Sequence, residues 1–144
     1  MTVNSSEGST IYHALLKAFS VGAEEVSRLF HEEAVIEYPY APSLGTPARL
    51  DKESLHTYLA GALPNMPDLT FINVTVYPLQ GKDAFWAEAL GECIILSTGL
   101  PYRQNYLMYF ELKDGLFVNY REYWDLLAIK QAFGSNGNVQ DTFR

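Results

Sequence analysis

Cysteine occurs once in the 144 residues, at Cys93, which excludes an intrachain disulfide and a cysteine-built zinc site. It lies in the apolar run Cys93-Ile94-Ile95-Leu96 and reads as a small packed hydrophobe. The rival reading, a catalytic thiol, has no histidine beside it in sequence, and an apolar setting raises a thiol's pKa. Positive charge is also scarce. Ten Lys and Arg against seventeen Asp and Glu leave a net charge of -7 with no basic run. Nucleic acid needs clustered Lys and Arg against its phosphates and is argued against, as is a strongly anionic lipid surface. No apolar stretch is long enough to span a bilayer. Met1 to Ser9 lacks the basic and apolar regions of a signal peptide, and a soluble, cytoplasmic protein is expected.

Rings are what the chain has in quantity. Eight Phe, ten Tyr and two Trp make half of the aromatic side chains tyrosine, whose hydroxyl needs a partner when buried. Such a composition suits a cavity or an interface. The length fits one domain, expected over residues 10–134 between a flexible lead (1–9) and a loose tail (135–144).

Ile11, Ala14, Leu15, Ala18 and Phe19 recur at helical spacing, with Ser9 or Thr10 available as a cap. Gly22 interrupts, and Ala23, Val26, Leu29 and Phe30 mark a second short helix, after which His31-Glu32-Glu33 reads as a helix end. Ala34 to Tyr40 reads as a strand. Asp51 can cap a third helix with the stripe Leu55, Tyr58, Leu59 and Ala62, closed by Gly61 and Pro64. From Leu69 the period becomes two, and strands follow over the residues from Leu69 to Tyr77, Ala84 to about Leu96, Asn105 to Leu112, and after the Asp114-Gly115 hairpin turn. Leu126 to Phe133 reads as a closing helix. Helices segregated from successive hairpins predict an α+β domain with a mostly antiparallel sheet.

Two strands carry chemical information. In the last one, Val118, Tyr120, Glu122 and Trp124 share one face by parity while Asn119, Arg121, Tyr123 and Asp125 share the other. Glu122 is thereby flanked by rings. In a dry pocket its pKa would rise toward the range of a general acid/base; the alternative is an ion pair with an arginine such as Arg103. In the strand from Ala84, Phe85, Ala87, Ala89, Gly91 and Cys93 form a face of mostly small residues, so either a helix packs close there or a pocket opens.

The order of elements, with Ala34-Val35-Ile36-Glu37-Tyr38-Pro39 and Asp114-Gly115 leading to Arg121-Glu122-Tyr123-Trp124, resembles the SnoaL-like branch of the NTF2-like (ketosteroid isomerase-like) superfamily. The stretches from Met66 to Val74, Phe85 to Glu88 with Gly91, and Phe110 to Gly115 before Arg121-Glu122 are most similar to phenazine biosynthesis proteins A and B. This resemblance implies a cone-shaped α+β barrel, its N-terminal helices packed in a curved, mostly antiparallel sheet. It also implies a homodimer, a deep pocket for a small apolar or aromatic ligand, and acid/base chemistry with no metal or organic cofactor. In the phenazine proteins a last-strand glutamate is the catalyst, and Glu122 stands at that place. The helper histidine of their third helix matches Tyr58 here, with His56 two residues earlier. Tyr38 and Met108 stand where ketosteroid isomerases carry their two acids, which argues against steroid isomerisation by their mechanism.

Glu122 and His56 are the candidate catalytic residues, although a lone helix-edge histidine such as His56 is commonly solvated. His13 and His31 read as surface residues, and no histidine pair has metal-site spacing. Tyr38, Tyr58, Tyr106, Met108, Tyr120 and Trp124 are candidates for the substrate-binding wall, against plain core packing for any single one. On the opposite sheet face, Trp86, Glu88, Asn105, Leu107 and Tyr109 would be exposed in a monomer and fit a dimer interface. The expected function is a cofactor-independent isomerase, cyclase or condensation catalyst of secondary metabolism acting on an aromatic or polyketide-like compound. The alternatives are a non-catalytic carrier of such a compound and a protein-interaction module.

Overall fold

The computed structural model describes residues 5–134. Two consecutive helices open it: α1 (Ser5–Val21), whose residues Tyr12, Leu15 and Leu16 are buried, and the short α2 (Ala23–Ser27). The helix begins at Ser5, so Ser9 and Thr10 lie inside it and neither is its cap. α2 stops at Ser27 and Phe30 belongs to β1 (Phe30–Glu37), because Phe30 pairs with Phe117 across the sheet and packs its ring on Phe117 and Tyr120. His31-Glu32-Glu33 is consequently strand, and Tyr40 lies past its end, before a 3-10 turn (Ala41–Leu44).

A two-residue β2 (Arg49–Leu50) precedes α3 (Lys52–Ala62). The expected cap is in place: Asp51 accepts a hydrogen bond from the Ser54 backbone N–H at 2.7 Å. Gly61 remains helical, and α3 passes into a 3-10 turn (Leu63–Asn65) containing Pro64. β3 (Thr70–Pro78), β4 (Ala84–Ile94), β5 (Pro101–Lys113) and β6 (Leu116–Tyr123) then follow as successive hairpins, and α4 (Leu126–Phe133) closes the described chain. The expected tail at 135–144 lies outside the described residues.

The strand order is β2-β1-β6-β5-β4-β3, antiparallel throughout except for the parallel pair β1 and β6. This is an α+β fold with a six-stranded mixed sheet that does not close into a barrel; β2 and β3 are its edges. The helices cover one face, where Tyr12 stacks on Phe110 and the rings of Tyr38 and Tyr58, and of Phe133 and Tyr102, pack at a tilt.

Bulges reset the parity of two strands. In β3 the register shifts between Ile72 and Thr75, and Asn73 takes φ 55, a left-handed conformation that Asn tolerates. Phe71, Val74 and Val76 therefore turn toward the core while Ile72 is left half exposed, breaking the simple alternation. In β6 the pairing skips Val118, so Phe117, Tyr120 and Glu122 are the buried residues and Val118 does not share their face. On the outer face Tyr109 is buried rather than exposed, with the Arg121 guanidinium 4.3 Å from its ring centre and Trp86 against its edge.

The small residues of β4 are filled from both sides. α1 brings Gly8 against the Phe85 ring, and a side chain at Gly91 would meet the rings of Tyr106 at 2.9 Å and Phe71 at 3.0 Å. Small size there admits neighbouring aromatic rings, so β4 itself contributes no wall to the cavity described next.

Candidate active site

Glu122 stands in β6 opposite Met108 of β5, on the helix-covered face. It is 9% exposed. Its neighbours two residues away on the same face reach back to it: Tyr120 Oη donates to Oε2 at 2.9 Å and Trp124 Nε1 donates to Oε1 at 3.0 Å. Each oxygen thus receives one hydrogen bond and keeps acceptor capacity for something else. Burial pushes the carboxyl up to about 7, while the two hydrogen bonds pull the other way. Arg103 is not its partner; that side chain lies on the outer face, 3.2 Å from Glu92.

Glu122 borders a cavity of about 70 Å³, room for about five to seven water molecules at ~10–15 Å³ each. One wall is a run of packed, mutually tilted rings, Tyr58 against Tyr38 and Tyr38 against Trp124, each pair with centroids 5.7 Å apart. The β5 wall presents Tyr102, Tyr106 and Met108. The Tyr102 and Tyr106 hydroxyls are hydrogen bonded to each other at 2.8 Å, and Met108 Sδ accepts a hydrogen bond from Tyr12 Oη at 2.6 Å. Leu44, Met66, Ile129 and Phe133 complete an otherwise apolar lining. Burial and the nearby Glu122 hold the hydroxyls of Tyr38 and Tyr58 well above the usual tyrosine range, so they stay protonated.

Of the residues singled out from sequence, the structure brings Glu122, Tyr38, Tyr58, Tyr106, Met108 and Trp124 together around this space. It does not bring two others. Tyr120 supports Glu122 from behind, packed against Phe30 and Phe117, and is not part of the wall. His56 points away: its Nε2 lies 3.3 Å from Glu24 Oε2 on the outside of α3. The reason is helical geometry, since two residues of separation turn a side chain by about 200°, and Tyr58 already faces the cavity. Sequence reasoning missed Tyr102, although it shares strand parity with Tyr106; it also missed Phe71, whose face the Asn73 bulge decides.

Cys93 is half buried and its thiol is pushed up to about 11 by burial, consistent with a packed rather than reactive sulfur. Among the described residues no group of three or more His, Cys, Asp or Glu side chains is placed to hold a metal ion. Nor is any helix among them long and apolar enough to cross a membrane.

A family model described as the SnoaL-like domain matches residues 12–120, ending two residues before Glu122. The Bacillus subtilis protein YesE, uncharacterized, is 37% identical over 111 residues, covering 76% of this chain and 75% of the relative. An uncharacterized PhzA/B-like protein of Pseudomonas aeruginosa, PA3332, is 29% identical over 107 residues, 74% of each chain. A crystal structure from Bacillus subtilis, provisionally named an isomerase, superposes with a TM-score of 0.85 at 31% identity over 94% of this chain and 99% of its own.

Proposed function

Because the chain belongs to the SnoaL-like domain family, we propose that it is an acid/base enzyme in which Glu122 moves a proton on a small apolar or aromatic molecule held in the cavity. The observation that carries this reading is the carboxyl itself: 9% exposed, walled by rings, held by two donors and poised at about 7. A group at that value is ionised often enough near neutrality to take a proton, and is still acidic enough to return it. The isomerase name of one structural neighbour and the PhzA/B-like name of one relative support an isomerisation, cyclisation or condensation in secondary metabolism. The chemistry assigned to Glu122 requires no metal or organic cofactor, since a single carboxyl can both accept and return the proton.

Acetophenone and 1-tetralone serve as probes, with deuterium uptake beside the carbonyl followed by mass spectrometry in heavy water. Exchange should exceed the buffer rate and rise with pH through about 7, as the carboxylate form increases. Glu122→Gln should reduce it by ~10²-fold to 10⁴-fold while leaving ketone affinity roughly intact. Exchange at the buffer rate for both ketones at every pH would remove proton transfer and leave a ligand-binding protein.

A further inference from the structure

Tyr102 and Tyr106 are four residues apart on β5, so their Cα atoms are separated by about 13 Å along the strand. Their hydroxyls nevertheless meet at 2.8 Å, because both rings lean along the strand over Gln104. Two features permit this. Gln104, fully buried, is fixed beneath the pair by a two-way clasp with the Asp125 backbone, where Nε2 donates to the Asp125 carbonyl at 2.9 Å and Oε1 accepts from its N–H at 2.8 Å, and its amide also hydrogen bonds the Tyr102 hydroxyl. Gly91, opposite Gln104, leaves room for the Tyr106 ring.

A pair of neutral hydroxyls holds two protons, and only one can lie between the oxygens. Whichever tyrosine accepts therefore retains its own O–H to donate elsewhere, and accepting a hydrogen bond makes that O–H a stronger donor. Both residues wall the same cavity as Glu122 and both are buried. Burial pushes both hydroxyls up, so the pair donates hydrogen bonds without ionising.

We propose that the Tyr102–Tyr106 pair is the oxygen-recognition element of the cavity, donating one hydrogen bond to a ligand carbonyl. This rests on the proton-transfer reading of Glu122. The Glu122 carboxylate takes the proton from the carbon next to the carbonyl; the C–H electron pair becomes a C=C bond and the carbonyl π pair moves onto oxygen. The resulting enolate oxygen receives the hydrogen bond from the pair, which strengthens as charge develops. Protonated Glu122 then returns the proton to carbon and the carbonyl reforms.

The test compares acetophenone with α-methylstyrene, which has the same shape but a CH₂ in place of the oxygen. Dissociation constants are measured by NMR titration at pH 9, where ionised Glu122 can only accept hydrogen bonds. The wild type should favour acetophenone, and Tyr102→Phe/Tyr106→Phe should lower that preference by roughly 3-fold to 10-fold while α-methylstyrene binding is unchanged. An unchanged preference overturns the proposal. Should the double variant lose both probes, the single variants decide, since each removes one oxygen atom: a drop of about twofold in either supports the pair, and no drop in both overturns it. Deuterium uptake by acetophenone is read separately. A tyrosine-dependent preference without uptake refutes the role of Glu122 alone, and uptake without that preference refutes the pair alone.

Discussion

Glu122 is held in a site that favours its proton, and the sign of the consequence can be worked out. Its carboxyl titrates at about 7 in the folded chain against 4.5 for the ordinary side chain, with burial the largest cause. Below about 4.5 both folded and unfolded chains carry the proton and nothing is lost; between 4.5 and 7 the unfolded chain releases it first, so stability falls as pH rises. At about 1.4 kcal/mol for each tenfold, the loss approaches ~3 kcal/mol by pH 8. Glu122→Gln lacks this titration. Urea unfolding of both proteins at pH 4.5 and pH 8 should show the variant gaining on the wild type by roughly that amount as pH rises, and equal pH dependence would mean that the carboxyl is solvated. The parity of β6 made this residue legible from sequence, because Tyr120 and Trp124 at two residues either side share its face. His56 was misread for the same kind of reason in reverse. Two residues from Tyr58 it turns to the far side of α3, and its contact with Glu24 at 3.3 Å lies on a neighbouring helix that the local pattern does not reveal.

Among the elements, β5 is where local pattern and tertiary structure part. Its start was expected near Asn105, but it begins at Pro101, because all eleven residues of β4 from Ala84 to Ile94 find partners across it. Pro101 resembles a turn residue in isolation; its strand conformation is imposed by that pairing. The four added residues include Tyr102 and Gln104, so the misplaced boundary hid half of the hydroxyl pair and the clasp beneath it. The clasp also fixes the start of α4, whose far end is tied by Thr98 Oγ1 donating to the Ala132 carbonyl at 2.7 Å. α4 in turn carries Ile129 and Phe133 to the cavity. Gln104→Leu keeps the volume and removes both hydrogen bonds to Asp125. It should cost about 1–3 kcal/mol of stability, chiefly for the Asp125 N–H left unpaired, since the Asp125 carbonyl still accepts from the Ile129 N–H at 3.4 Å, and speed amide exchange across Leu126–Phe133. Unaltered exchange in α4 would show that Thr98 and apolar packing suffice to hold it.

At the scale of the whole molecule, the two faces of one sheet have different fates. The inner face was legible because periods of two and of about 3.6 separate strands from helices and each segment is long. The outer face was legible only in part, since Tyr109 shares its parity but is covered by Arg121 from the next strand. What stays open to solvent there is still ring-rich and apolar: Ile72 and Tyr77 are each 49% exposed and Leu107 39%, beside half-buried Trp86 and Tyr123. Burying this band against its copy would form the homodimer that the superfamily resemblance implies. Two copies of net charge -7 repel one another, so apolar burial must exceed that repulsion, and screening should favour association. Light scattering should therefore give twice the chain mass, with the dimer tightening between 20 mM and 300 mM salt, a range over which the Debye length falls from about 20 Å to about 6 Å. Leu107→Glu adds a charge at the centre of the band without touching the core, so it should yield a monomer with an unchanged thermal transition of the fold. A wild-type monomer at every salt concentration, or a dimer indifferent to Leu107→Glu, would place the interface elsewhere or nowhere.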